Sequence, residues 1–193
     1  MANVDAPRGF RPVKYRSGVA YTGAARRYYK DATAGIIGIG DPVIRVTNSS
    51  DPEGGPEIVR GTTGSAITGV VVAIDPIRSN LSQRHLAAAD VGYVYVADDP
   101  DLLFEVQEVT GGTALTVTQV GEHIDSITAI NADTTTGISK YEIDNAAVAT
   151  DNTWRLEELV IRPDNVVGEH AKWLVSANLH TEVNASASNK TEV

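Results

Sequence analysis

Four histidines, a cluster of aspartates and two glycine-rich stretches are the residues of this chain with the types to do chemistry. His85, His123, His170 and His180 fall at no metal-binding spacing such as HExxH, so each reads as a surface or satisfied polar residue. Asp98, Asp99 and Asp101 could gather a hard cation, but they lack the 1-3-5-12 ligand order of an EF-hand loop. With Pro100 among them they read better as a turn. Gly61-Thr62-Thr63-Gly64-Ser65 has no following Lys-Ser/Thr to make a phosphate loop, and Gly35, Gly38 and Gly40 are not in GxGxxG order. No GxSxG elbow occurs, and with no cysteine there is neither a disulfide framework nor a thiolate metal site. The expectation is a non-enzymatic protein with no cofactor, no metal and no catalytic residue.

Charge is more informative than reactivity. Residues 1–30 hold Arg8, Arg11, Lys14, Arg16, Arg26, Arg27 and Lys30 against Asp5 alone, a local charge of +6. The remainder stands at −15, for a total of −9. Phe10, Val13, Tyr15, Tyr21, Tyr28 and Tyr29 are interleaved with those cations, which suits an arm reaching an acidic partner. Ala25-Arg26-Arg27-Tyr28-Tyr29-Lys30 could also pair phosphates and stack bases. The acidic remainder would repel a polyanion, so direct nucleic-acid binding is not expected.

The elements that must carry these residues are strands. At 193 residues the chain suits one domain, divided here into a basic extended arm (1–30), a β-rich body (31–183) and a flexible polar tail (184–193). No apolar run approaches a membrane span and the N-terminus has no apolar signal region, so a soluble protein without a cleaved signal is expected. The strongest apolar run, Ala66–Pro76, reads as the central strand, with Gly69 marking a bulge or a close backbone approach.

Pro7 and Pro12 hold the first residues extended, and Tyr15–Lys30 is expected to lie along a surface, the opposing possibility being that Ala24–Tyr29 is a strand of the body itself. Strands are expected at Val43–Val46, Ile67–Ile74, Tyr93–Ala97, Leu102–Val109, Trp154–Arg162 and Ala171–Leu179. Glu57–Arg60 is a candidate short strand, and Lys140–Asp144 alternates in the same way. Asp98–Asp101 should turn Tyr93–Ala97 back onto Leu102–Val109 as a hairpin, and the phase slip at Glu157-Glu158 predicts a bulge. Residues 77–90 make either a short helix capped by Ser79 or Asn80 or a long excursion over the sheet, and 119–136 fit neither period. The fold class expected is all-β, a mainly antiparallel sandwich or barrel-like body with an extended N-terminal arm.

Six segments taken in order give the chain a likeness: GFRPV (Gly9–Val13), ARRYY (Ala25–Tyr29), GDPV (Gly40–Val43), ITGVVVAIDP (Ile67–Pro76), YVYVADDPDLLFEVQE (Tyr93–Glu108) and RPDNVVGEHAKWLV (Arg162–Val175). With them the chain resembles the structural cement, or decoration, proteins of tailed-bacteriophage heads, over about residues 1–183. That resemblance implies a β-rich homotrimer, made in the bacterial host cytoplasm, that binds the major capsid protein on the outer surface of the virion. It would clamp neighbouring capsomers without catalysis. The capsid-contact residues expected from the arm are Arg8, Phe10, Arg11, Arg16, Arg26, Arg27, Tyr28 and Tyr29. A virion-displayed module for host surfaces or glycans is the alternative. It would need exposed aromatic platforms, whereas Trp154 and Trp173 sit in strand patterns that read as core.

Overall fold

β-Branched and aromatic runs punctuated by Gly, Pro and Asp form ten strands in the computed structural model, which describes residues 3–127, 131–147 and 152–183. They are β1 (Arg11–Tyr15), β2 (Arg26–Lys30), β3 (Pro42–Ser50), β4 (Pro56–Arg60), β5 (Gly69–Ile74), β6 (Gly92–Ala97), β7 (Leu102–Gln107), β8 (His123–Ile124), β9 (Trp154–Leu159) and β10 (Lys172–Ala177). A 3-10 turn at Val117–Gln119 is the only helical element among the described residues. The chain is all-β, and every strand pairing is antiparallel except one, β2 with β4.

Strands β2 to β6 close a five-stranded barrel in the order β2-β4-β3-β5-β6. The others form a five-stranded sheet, β1-β7-β10-β9-β8. Strand alternation sends Tyr28, Val43, Ile58, Val71, Val94 and Val96 into the barrel, where Ile37 and Leu86 complete the core. The second, larger core holds Phe10, Phe104, Trp154, Trp173 and Val175 of the sheet. The central apolar run joins the two. From β5, Val71 packs in the barrel core, while Val70 and the preceding Ile67 belong to the larger one. A residue with period-2 alternation can face only one side, so a strand apolar on both faces lies between two cores.

Gly69 is there for close approach. A Cβ on it would sit 2.2 Å from the Ala97 carbonyl oxygen, a backbone atom of the neighbouring strand. Opposite β6, the register slips between Val71 and Ala73, leaving Val72 as the extra residue of a bulge. The bulge expected at Glu157-Glu158 also forms. Val175 pairs with Leu156 and Leu174 with Glu158, so Glu157 is the unpaired residue.

Several sequence expectations are corrected. The hairpin expected across Asp98–Asp101 does not form. β6 pairs with β2 and β5, and β7 with β1 and β10, so this turn carries the chain from barrel to sheet. Lys140–Asp144 is not a strand, because Ile143 makes only single bridges to Glu108 and Ser126. Residues 77–90 take the long excursion, with Leu86 bridged to Ile37 inside the barrel mouth. The Lys30 ammonium fastens that excursion by donating to the carbonyls of Asp31 (2.9 Å), Ala88 (3.2 Å) and Asp90 (2.7 Å). The flexible tail expected over 184–193 lies outside the described residues.

The largest correction concerns residues 1–30. The segment is extended as expected, but it is woven into the body. β1 is an edge strand of the sheet, and β2 closes the barrel between β4 and β6. The cause is burial. Phe10 is 1 % exposed and stacks on Trp154, with ring centroids 4.0 Å apart and planes 13° from parallel.

Candidate interaction surface

The eight residues expected to touch a capsid divide into three groups. Phe10 and Tyr28 are core residues and unavailable to a partner. The Tyr28 hydroxyl donates to Asp98 at 2.8 Å, and burial, then Asp98, push its pKa up to about 12. Arg16, Arg26 and Arg11 make ion pairs within the protein. Arg16 reaches Glu157 at 2.5 Å and donates to the Ser176 hydroxyl at 2.6 Å. Arg26 pairs with Asp98 at 3.2 Å and Arg11 with Glu105 at 3.3 Å. Arg27, Tyr29 and Arg8 remain on the surface, but not together.

Arg27 and Tyr29 alternate outward from β2 while Tyr28 and Lys30 point in. Across the strand pair, Tyr29 meets Tyr93 and Arg27 meets Tyr95, giving an aromatic stripe on the barrel exterior. That stripe is already covered. The Arg27 guanidinium lies 3.5 Å from the Tyr93 ring centroid, and the Tyr93 hydroxyl donates to Asp51 at 2.7 Å. The stripe is thus satisfied from within the chain, unlike an open sugar-stacking platform.

Arg8 faces a different neighbourhood, a cleft of about 320 Å³ beside the β1 edge of the sheet. Arg8, Arg11, Arg162 and Lys172 line it, with Glu105 and Asp164. Glu105 accepts from Arg11 (3.3 Å) and from both terminal nitrogens of Arg162 (3.3 and 3.2 Å), so a single carboxylate is shared by two guanidinium groups. The Arg162 Nε also lies 3.4 Å from Asp164. Among the described residues, neither Arg8 nor Lys172 is in an ion pair.

The turn between β9 and β10 forms one wall, and it carries exposed aliphatic side chains. Ile161 is 93 % exposed, with Val166 and Val167 nearly half exposed beside it. Asn3 stitches the N-terminus to this turn, donating to the Val166 and Glu169 carbonyls (both 2.8 Å) and accepting from the Val166 N–H (3.0 Å). Val4, next to it, is 71 % exposed. No sequence window showed this cleft, because its lining comes from residues 6–11, 105–107, 162, 164 and 172.

The residues considered for catalysis or metal binding fall as follows. His85 and His180 are buried, and burial lowers the pKa of His180. The Asp99 carboxylate accepts the Asp101 N–H at 2.9 Å, the local turn bond that the sequence suggests. Asp98 serves Tyr28 and Arg26. One grouping escaped sequence reasoning. Asp5, Glu142 and His170 bring a ligand atom each to within 4.8 Å of one another. The Gln107 amide nitrogen lies among them, at 3.0, 2.9 and 3.4 Å respectively, and Gln107 Oε1 accepts the Ala6 N–H at 3.0 Å. Spacings of 137 and 28 residues carry no local signal that could have revealed it.

Buried acids mark the interior instead of a cleft. Glu108 is fully buried, accepting from the Trp173 indole (3.0 Å) and the Leu115 N–H (2.7 Å), and burial raises its pKa. Asp41 is also fully buried. Its Oδ2 accepts the Gly38 N–H at 2.9 Å, and its Oδ1 has no hydrogen-bond partner among the described residues. Burial pushes the Asp41 carboxyl up to about 6, against the opposing pull of Ser139, the Gly38 N–H and Arg60. No family model, no curated protein and no solved structure matches the chain.

Proposed function

We propose that the protein is a capsid decoration protein of a tailed-bacteriophage head, bound to the outer surface of the shell as a homotrimer. It holds neighbouring capsomers together without covalent chemistry. The observation that carries this reading is the grouping of Arg8, Arg11 and Arg162 in one cleft, one wall of which is the β9–β10 turn with its exposed aliphatic side chains, arginine being enriched at protein interfaces. The ordered resemblance of six chain segments to head cement proteins supports it, as does an acidic total charge that resists condensation on DNA.

The structure changes how the clamp is held. An interface carried beside a strand paired into the five-stranded sheet loses little conformational entropy on binding, unlike a free arm that must be ordered. A ligand that binds only the assembled shell stabilises that state by mass action, and three sites per trimer add avidity.

Co-sedimentation with heads assembled from the major capsid protein of the phage that carries this gene tests the proposal. Saturable binding, with a raised temperature of head rupture, is expected. Free protein remaining in the supernatant at micromolar concentration would overturn it. Sedimentation velocity checks the trimer.

A further inference from the structure

We infer that the cleft between Arg8, Arg11, Arg162 and Lys172 takes an acidic, extended peptide segment of a protein partner, with that segment's apolar residues lying over the β9–β10 turn. Where the proposed function holds, that segment belongs to the capsid protein, and the inference rests on that reading only for the partner's identity.

The chemistry follows from which cations are occupied. Glu105 is shared by Arg11 and Arg162, which leaves guanidinium donors facing outward, since each Arg carries five N–H groups in a fixed fork. Arg11 keeps 60 % of its side chain exposed. Arg8 and Lys172 add two cations with no ion-pair partner among the described residues. Four cations against two carboxylates make the cleft net positive on a protein of net charge −9. A local field of opposite sign to the whole steers an acidic ligand to this one place.

Size and surroundings narrow the class. At about 320 Å³ the cleft is at the low end of the roughly 300–1,000 Å³ of ligand pockets, so it admits a few side chains. Glu105 and Asp164 on its walls disfavour a dense polyanion but tolerate separate carboxylates, each matched by one guanidinium fork. Ile161, Val166 and Val167, in the turn that supplies Arg162 and Asp164 to the cleft, and Val4, two residues before Ala6, are exposed aliphatic side chains that a nucleic-acid backbone would not complement and an extended peptide would. The β1 edge does not supply the contact by strand addition, because the chain itself covers part of it. The Tyr15 N–H donates to the Val19 carbonyl, and the Val13 carbonyl accepts from Tyr21. Side-chain charge and apolar contact therefore do the recognising.

The test uses the full chain with a fluorescein-labelled peptide alternating Glu and Leu, a Lys–Leu counterpart and a single-stranded oligonucleotide. The Glu–Leu peptide should bind, more weakly as salt rises, and the other two should not. Arg8→Ala combined with Lys172→Ala should weaken that binding about tenfold or more, with an unchanged melting temperature, since neither side chain makes an ion pair among the described residues. Arg8→Ala alone, at an exposed position, should give a smaller loss in the same direction. Equal binding by both variants, or binding of the oligonucleotide in preference to the Glu–Leu peptide, would overturn the inference. The same variants with phage heads separate the two ideas. Wild-type binding that the double variant retains in full refutes the cleft and leaves the decoration role standing. If the wild-type protein does not bind heads while the Glu–Leu peptide still binds its cleft, the decoration role fails alone.

Discussion

Replacing Asp41 by Asn should change the way stability depends on pH. The side chain is fully buried, with one oxygen bonded to the Gly38 N–H and the other without a hydrogen-bond partner among the described residues. Burial raises the carboxyl from 3.8 to about 6, so the folded state holds this proton more tightly than the unfolded chain does. A raised pKa contributes stability that is fully present below about pH 4 and lost as pH climbs through about 6. The gap of roughly two pKa units corresponds to about 3 kcal/mol at neutral pH. Asn cannot ionise and lacks this term. Whatever its fixed cost in packing and hydrogen bonding, the difference between variant and wild type should therefore move by about 3 kcal/mol in favour of Asn between pH 4 and pH 8. For a chain of this length that is on the order of 6–12 °C in melting temperature. Urea unfolding of both proteins at pH 4, 5, 6, 7 and 8 reads it directly. A difference that stays flat across that range would refute the reasoning, and so would one that moves toward wild type as pH rises.

Phe10→Ala should cost about 3–5 kcal/mol in urea unfolding, because it leaves the stacked face of Trp154 against a cavity. Deleting residues 1–30 should abolish the folded far-ultraviolet circular dichroism spectrum, since it removes Phe10, an edge strand of the sheet and a closing strand of the barrel. Gly69→Ala places a methyl 2.2 Å from the Ala97 carbonyl oxygen and should lower the melting temperature by the equivalent of at least about 1–3 kcal/mol. Arg16→Ala, by contrast, breaks a partly exposed ion pair with Glu157 and should cost no more than about 1 kcal/mol.

Much of the fold was legible because strand formation is a local property. Runs of β-branched, aromatic and leucine side chains between Gly, Pro and Asp turns suffice to mark β3, β5, β6, β7, β9 and β10. The bulge at Glu157 was visible as a break in strand alternation, and Gly69 as a residue out of place in an apolar strand. β2 was legible only as the opposing possibility of a strand over Ala24–Tyr29, and the arm was the preferred reading for a physical reason. Its inward positions are Tyr28 and Lys30, and a buried lysine that caps three carbonyls looks, in one dimension, like one more surface charge. Six cations in excess within thirty residues then read as an arm.

Residue types and short spacings determined that this chain builds antiparallel β-structure with tight turns. Only the tertiary structure decided that the strands divide between a barrel and a sheet, since a strand's period says which residues share a face and not which strand lies alongside. It also decided where the basic residues point. Phe10 finds Trp154 across 144 positions, and that contact draws its neighbours into the sheet, leaving Arg8 at the cleft. The cleft itself needs Arg8, Glu105, Arg162 and Lys172 to converge from separate parts of the chain. Convergence over such separations comes from burying the apolar residues between them, a property of the packed whole that no window of sequence contains.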